Sequence, residues 1–362
     1  MVETMVRQET GYLQVQDILY HDEPSMDHTF ELTGEVEEAL DPFEDEIRYT
    51  VPRISGFSLA AKEMTTKPSM VSGIDPVKED RLRGLSLNIV DGKMFAADDD
   101  YAVIAQGLAE MLDIGVGDTL VLLGQGFQAM TAAGKFEVGG IVEFSIPEQN
   151  NMMVFLPLSR AQWYFAAENR LTGLIIMPRD EEEIDQLAKS IQGRLDDDWY
   201  AVRTWKELMP DMVGLMEMQD TVYKIIAWVF YIIVGFGIFG TILTMLYERM
   251  HEFGMLLSLG MKRVRLATVG LMETVMIGFI GVIAGIAAGY PIMYLFHLYP
   301  IEFKGEIAEY MLDMGFEPVV ALSVEPSIFL YQAFTVFGIT LVIGLYTMRK
   351  IFSINILDAT RN

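Results

Sequence analysis

Three long apolar runs within residues 221–362 constrain this chain more than any other feature. Tyr223–Tyr247 carries one charge, Lys224, near its start; Leu266–Phe296 is interrupted only by Glu273; Ser327–Met348 has Gln332 as its only strongly polar side chain. At ~1.5 Å of rise per residue, each run can cross a hydrocarbon core of roughly 30 Å. One such run could be a buried soluble helix, but three in succession predict membrane spans.

Charge divides the chain in the same place. The net charge is −25, from 51 acidic and 26 basic side chains. Residues 1–220 hold 41 acids and 17 bases, whereas residues 221–362 hold 10 and 9. A strongly acidic polar body is therefore joined to a nearly neutral apolar one. Phosphate neutralisation needs clustered Lys and Arg, so this balance argues against nucleic-acid binding. The absence of Cys excludes disulfide scaffolds, thiol enzymes and Cys-based metal sites.

Orientation follows from the connecting segments. Glu248–Arg265 carries Arg249, Lys262, Arg263 and Arg265, and the tail carries Arg349, Lys350 and Arg361. The segment His297–Pro326 has Lys304 against six acids. Basic segments stay in the cytoplasm, so the acidic loop and the N-terminal domain are expected outside. Met1–Gln16 has no apolar core that could serve as a signal or anchor. A further transmembrane helix is therefore expected to precede the chain.

Residues 1–205 read as an α+β extracytoplasmic domain. Strands are predicted at Gly11–Tyr20, Met70–Ile74, Tyr101–Ala105, Thr119–Leu123, Phe136–Glu143 and Met152–Leu158. Helices are predicted at Val77–Arg83, stopped by Gly84, and at Gln106–Asp113. A third, Glu181–Leu195, would start from Asp180 as N-cap and bury Ile184, Leu187, Ala188 and Ile191 on one stripe. Residues 206–222 read as a stalk helix, with Met209, Met212, Val213 and Met216 at helical spacing. Residues 223–362 form an α-helical membrane domain with three transmembrane helices.

Motifs for catalysis are missing. Gly134-Lys135 looks like the end of a phosphate loop, but Ala129 stands at the leading Gly position and Phe136 replaces Ser or Thr. There is no GxSxG elbow and no HExxH. His21, Asp22, Glu23, Asp27 and His28 read as a solvated acidic loop rather than a metal site. Asp98–Asp100 and Asp196–Asp198 lack the alternating carboxylate spacing of a calcium loop. No metal, catalytic residue or bound cofactor is expected.

The membrane half is more informative. Gly281, Gly285 and Gly289 recur every fourth residue, a small-residue stripe that lets another helix approach closely. Glu273 is an ionisable group inside a span, a functional candidate by default; the alternative is a carboxylate near the cytoplasmic interface, solvated or paired with Arg265. Glu248–Arg263 interleaves charges with Phe253, Leu256, Leu257 and Leu259. That composition predicts an amphipathic helix ending at Gly260, lying on the membrane or docked in a partner's groove.

These residues resemble a known family. ERMHEFGMLLSLGMKRVRL is similar to the coupling segment of FtsX-like permeases of ABC transporters, and LMETVMIGFIGVIAGIAAGY to the glycine-rich helix that follows it. GIDP at 73–76, GLAEMLDIGVGDTLVLL at 107–123, Gly139–Glu143 and Trp205–Pro210 resemble the MacB-type extracytoplasmic domain. TGYLQVQ resembles the lipoprotein-releasing permeases in particular. The family has four spans, of which the first is missing here, and its tail prolines are replaced by Thr347 and Asn355.

The resemblance implies a bacterial inner-membrane protein with its N-terminal domain in the periplasm. It implies that Glu248, Arg249, Glu252, Gly254, Leu257, Gly260, Lys262 and Arg263 couple to a cytoplasmic ABC ATPase dimer that uses ATP and Mg. Charge reversal at Lys262 and Arg263, or Pro at Leu257, would then uncouple ATPase stimulation. A second permease copy or a sister permease is the other expected partner, in contact with membrane lipids. In lipoprotein-releasing permeases a protruding loop recruits a periplasmic chaperone or adaptor. The matching stretch here, Gly124–Lys135, is short, leaving Phe127 and Met130 to supply an apolar contact. Lipoprotein release is the leading expectation, with macrolide or peptide efflux, or activation of a cell-wall hydrolase, as alternatives.

Overall fold

The computed structural model describes residues 6, 10–144, 146–181, 183–305, 308, 311, 319, 320 and 322–352. The chain divides into two compact units, one built on residues up to Gly214 and one on the long helices from Leu215 onward.

The first unit is mixed α and β. Its strands are β1 (Leu13–Asp17), β2 (Phe30–Glu31), β3 (Ile47–Lys62), β4 (Thr65–Ile74), β5 (Ile89–Gly92) and β6 (Ala102–Ala105). They continue as β7 (Thr119–Gln125), β8 (Thr131–Val142), β9 (Met153–Pro157), β10 (Arg170–Leu171), β11 (Gly173–Pro178) and β12 (Tyr200–Thr204). Pairing runs β12-β1-β11-β3-β4-β9-β6-β8-β5, and β7 bridges β3 to β8. The path β3-β4-β9-β6-β8-β7 therefore closes on itself, which removes the open edges that otherwise invite strand addition. Each of those six strands feeds one core, including Ile54, Val71, Ile104, Leu122, Phe136 and Leu156. The other part, β12-β1-β11 and the start of β3, is antiparallel. Its core includes Leu13, Val15, Leu174 and Ile176 together with the helix Ile184–Gln192.

The long hairpin of β3 and β4 organises both parts, and Pro52, Gly56 and Pro68 hide it in the sequence. Both prolines are tolerated because each lies beside only one neighbouring strand: β4 joins β3 from Arg53, and β9 joins β4 from Met70. Arg53 is also where β3 leaves β11, opposite Gly173, and joins β4, opposite Ile74. There Arg53 meets Glu79 at 2.5 Å, and Arg83 meets the same carboxylate at 2.9 Å. Glu79 is fully buried.

Helix Pro76–Arg83 follows the expected local rules. Asp75 accepts from the amides of Val77 and Lys78 at 3.0 and 3.1 Å, and Gly84 ends the helix at φ 66°. Asp75→Ala is expected to lower stability by ~1 kcal/mol, the usual worth of an N-cap, in thermal unfolding of the full chain.

Other expectations needed correction. The first strand stops at Asp17, and Ile18 and Tyr20 fall in turns. The predicted cap at Asp180 is wrong: the helix starts at Ile184 after Glu183, though its buried stripe of Ile184, Leu187, Ala188 and Ile191 is as expected. The 206–222 stretch is not one helix. Thr204 and Glu207 form a capping box on the single turn Trp205–Leu208, and a new helix begins at Pro210.

In the second unit, Pro210–Glu248, Arg263–Leu298 and Pro326–Phe352 are each long and apolar enough to cross a membrane. A short helix, Met250–Ser258, joins the first to the second. The outer loop is described only in part, with Ile301–Glu302 paired to Val319–Val320. Asn355 lies outside the described residues.

Candidate functional site

The joint between the first and second long helices gathers most of the predicted coupling residues. On the short helix Met250–Ser258, Phe253, Gly254 and Leu257 are buried. Phe253 and Leu257 pack with Leu246 of the first helix, Leu266 and Ala267 of the second and Ile351 of the third. The helix ends where expected, with Gly260 at φ 91° and its amide donating to the Leu257 carbonyl at 3.1 Å.

Both ends of the segment are tied down by arginine. Arg249 Nη1 donates to the two Glu273 oxygens at 2.7 and 2.8 Å. The Arg263 guanidinium donates to the Phe352 carbonyl at the end of the third helix. Glu273 therefore pairs with Arg249, and not with Arg265, which the sequence offers, beside solvation, as the alternative. Ten residues of helix put Glu273 ~15 Å along from Arg263. The first helix ends level with it, a placement that sequence distance conceals.

The outward face of the segment is different. Glu248, Glu252, Met255, Gly260 and Lys262 are exposed, and Leu259 is 84% exposed. The eight predicted residues thus separate into two groups. Gly254, Leu257, Arg249 and Arg263 hold the segment to its own helices, while Glu248, Glu252, Gly260 and Lys262 face away.

Comparison with known proteins decides what kind of chain this is. The profile of the FtsX-like permease C-terminal family matches residues 224–356, and that of the MacB-like periplasmic core domain matches residues 2–194. The chain belongs to the MacB/FtsX-like permease family. It is 21% identical over 230 residues to LolC, the lipoprotein-releasing system transmembrane protein of Xylella fastidiosa (strain 9a5c), covering 62% of this chain and 55% of LolC. It is 24% identical over 218 residues to YknZ, an uncharacterized ABC transporter permease of Bacillus subtilis (strain 168), covering 57% of this chain and 53% of YknZ. It is 23% identical over 178 residues to MacB, a macrolide export ATP-binding/permease protein of Aggregatibacter actinomycetemcomitans, covering 47% of this chain and 26% of MacB. The chain spans about half the length of LolC and YknZ.

The permease packs its second and third helices through small residues, and the Gly281, Gly285 and Gly289 stripe lies outside that contact. An added Cβ at Gly281, Gly285 or Gly289 would meet nothing within 4 Å. Gly281 and Gly285 instead line a crevice of about 650 Å3 between the three long helices, with Gln332 and Thr340 on its far wall. Close approach occurs one stretch earlier. A Cβ at Gly278 would stand 2.6 Å from Thr340 Cγ2, one at Gly270 2.8 Å from Ile351 Cδ1, and one at Gly344 2.9 Å from Leu271 Cδ1. At 100° per residue, positions 270, 274, 278, 281, 285 and 289 share ~100° of arc, so one helix face serves both stretches. Extending the glycine pattern backwards through Thr274 would have found the packed half.

The stretch matching the chaperone-recruiting loop is not a free protrusion. Gly124–Lys135 is the hairpin between β7 and β8, pinched at Phe127–Ala129. Phe127 packs against the core and carries the Arg170 guanidinium 4.4 Å from its ring centre. Phe127 is thus committed to its own domain, and Met130, 57% exposed, is the residue left open.

The acidic clusters serve turns. Asp99 accepts from the Ala96 amide at 2.7 Å, Asp196 accepts from the Asp198 amide at 3.0 Å, and Asp100 pairs with Arg160. His28 lies 3.8 Å from Asp17 and 3.7 Å from Glu23. Among the described residues no group of three or more His, Asp or Glu side chains could hold a metal ion.

Proposed function

We propose that this chain is the permease subunit of an ABC transporter in a bacterial inner membrane, acting with a cytoplasmic ATPase dimer and a second copy or a sister permease. ATP and Mg are used by the ATPase, and the permease contributes no catalytic group. The observation that carries the reading is the two-faced segment 248–263. Its inner face is bonded to all three long helices, so a push on it reaches the bundle rather than a loose loop. Its outer face presents Met255 and Leu259 between Glu252 and Lys262, an apolar anchor with a charged rim, which suits a partner's groove.

Met255→Asp together with Leu259→Asp leaves the packed face untouched. It is expected to weaken ATPase binding by roughly thirtyfold, the size of a 2 kcal/mol interface anchor, while membrane insertion is unchanged. Co-purification and ATP hydrolysis in vesicles check this; unchanged binding refutes the assignment. The segment's buried Leu257 makes Leu257→Pro a poorer test, because it also disturbs the helix contacts.

The cargo reading is release of lipoproteins or a similar amphiphile from the outer leaflet, supported by the similarity to LolC and by the TGYLQVQ opening. The similarity to MacB favours macrolide or peptide export as the second reading. Photocrosslinking from Met130, followed by identification of what is captured, separates the two.

A further inference from the structure

We propose that the Arg249–Glu273 pair is a positioning latch that sets the angle of the short helix Met250–Ser258 against the second long helix. The inference rests on the permease reading above and concerns which atoms carry motion into the bundle.

Arg249 occupies the only non-helical residue between the first long helix and the short one, at φ −95° and ψ 5°. A joint of one residue is a natural hinge: the Arg249 amide donates to the Met245 carbonyl at 3.2 Å and its carbonyl accepts from the Phe253 amide at 3.0 Å, so only the torsions of this residue separate the two helices. The guanidinium supplies the direction by donating through one nitrogen to both oxygens of Glu273. A carboxylate on the side of an apolar helix is costly to place without a partner, so the pair holds the joint in register. The other end is held by Arg263 on the Phe352 carbonyl, a contact to the third helix. Between these ends Phe253 and Leu257 fill the apolar seam. With both ends held, the short helix turns with the second and third helices; with Arg249 released, it is held by Phe253, Leu257 and the Arg263 end, and its first turn is free to swing. Arg249 and Glu273 are positioning residues, and neither needs to touch the ATPase.

The chain has no Cys, so engineered pairs can be labelled cleanly. Spin labels at Met255→Cys and Val269→Cys, both exposed positions, report the angle in the full chain without any ATPase. The parent is expected to give one narrow distance distribution. Arg249→Gln and Glu273→Gln should each broaden it, and the charge-swapped double Arg249→Glu/Glu273→Arg should narrow it again. In vesicles with the ATPase, unlabelled single variants should lose about tenfold in stimulated ATP hydrolysis, with recovery in the double. If a single variant fails to insert, Arg249→Lys and Glu273→Asp keep charge but change reach and carry the same comparison. A distribution that stays narrow in either single variant, or broad in the charge-swapped double, overturns the latch. A chain that shows the distance changes but binds no ATPase retains the latch and refutes the permease–ATPase reading.

Discussion

Glu79→Leu is expected to destabilise the first unit by about 4 kcal/mol, the usual cost of removing one partner from a buried ion group. Glu79 is fully buried, and it neutralises two guanidiniums whose side chains are only 11% and 6% exposed. Removing the carboxylate leaves two like charges together in a poor solvent. The site also sits where β3 passes from the antiparallel sheet to the closed circuit, so strain there is felt in both cores. For a domain of this size the loss corresponds to roughly 10 °C in the thermal midpoint, read from tryptophan fluorescence of the full chain. The triple change Arg53→Met/Glu79→Leu/Arg83→Met removes charge and carboxylate together and should recover most of the loss. If Glu79→Leu shifts the midpoint by less than 2 °C, the three side chains are not acting as a buried charge group.

Gly278→Ile is expected to part the second and third helices, at a cost of 2–3 kcal/mol typical of overpacking. Its Cβ alone would stand 2.6 Å from Thr340 Cγ2 and 3.1 Å from Thr340 Cβ. Thr340 cannot turn away easily, because it is buried, β-branched and bonded through its hydroxyl to the Val336 carbonyl at 2.9 Å. Gly285→Ile is the control on the same face, since nothing lies within 4 Å of a Cβ there. Thermal unfolding in detergent should place the first variant well below the parent and the second close to it. Equal losses in both would mean that the two halves of the face are packed alike.

Local signals made much of this fold legible. Asp75 and Gly84 bound a helix because a cap and a left-handed stop act within one turn. Short apolar runs and neighbouring turn signals located β6, β7 and β9 to within a residue or two, and the stripe of Ile184, Leu187, Ala188 and Ile191 named the buried face of its helix. The longest strand, β3, is not among the predicted strands, and it contains Pro52 and Gly56, residues that weaken a local strand signal. Whether a proline breaks a strand depends on which neighbour is present beside it, and that neighbour is set by pairing.

The candidate site shows the same division. The amphipathic short helix, its end at Gly260 and the lone carboxylate of Glu273 in an apolar run are properties of residues close in sequence. Which arginine meets Glu273 is not: Arg265 is eight residues away in the chain, but Arg249, at 24, is the one in contact. The same holds for the glycines, whose spacing marks a smooth face without saying which half another helix covers.

By itself the sequence determined three long apolar helices, an acidic α+β body, a basic segment between the first two helices and the family to which they belong. Each follows from composition or periodicity over a few turns of chain. Only the tertiary structure decided that six strands close into a circuit, that Glu79 neutralises two arginines at its seam, and that Gly270 and Gly278, rather than Gly281 and Gly285, bring two helices together. Those outcomes depend on contacts between residues tens of positions apart, where side-chain volume and buried charge, not local preference, select the partner.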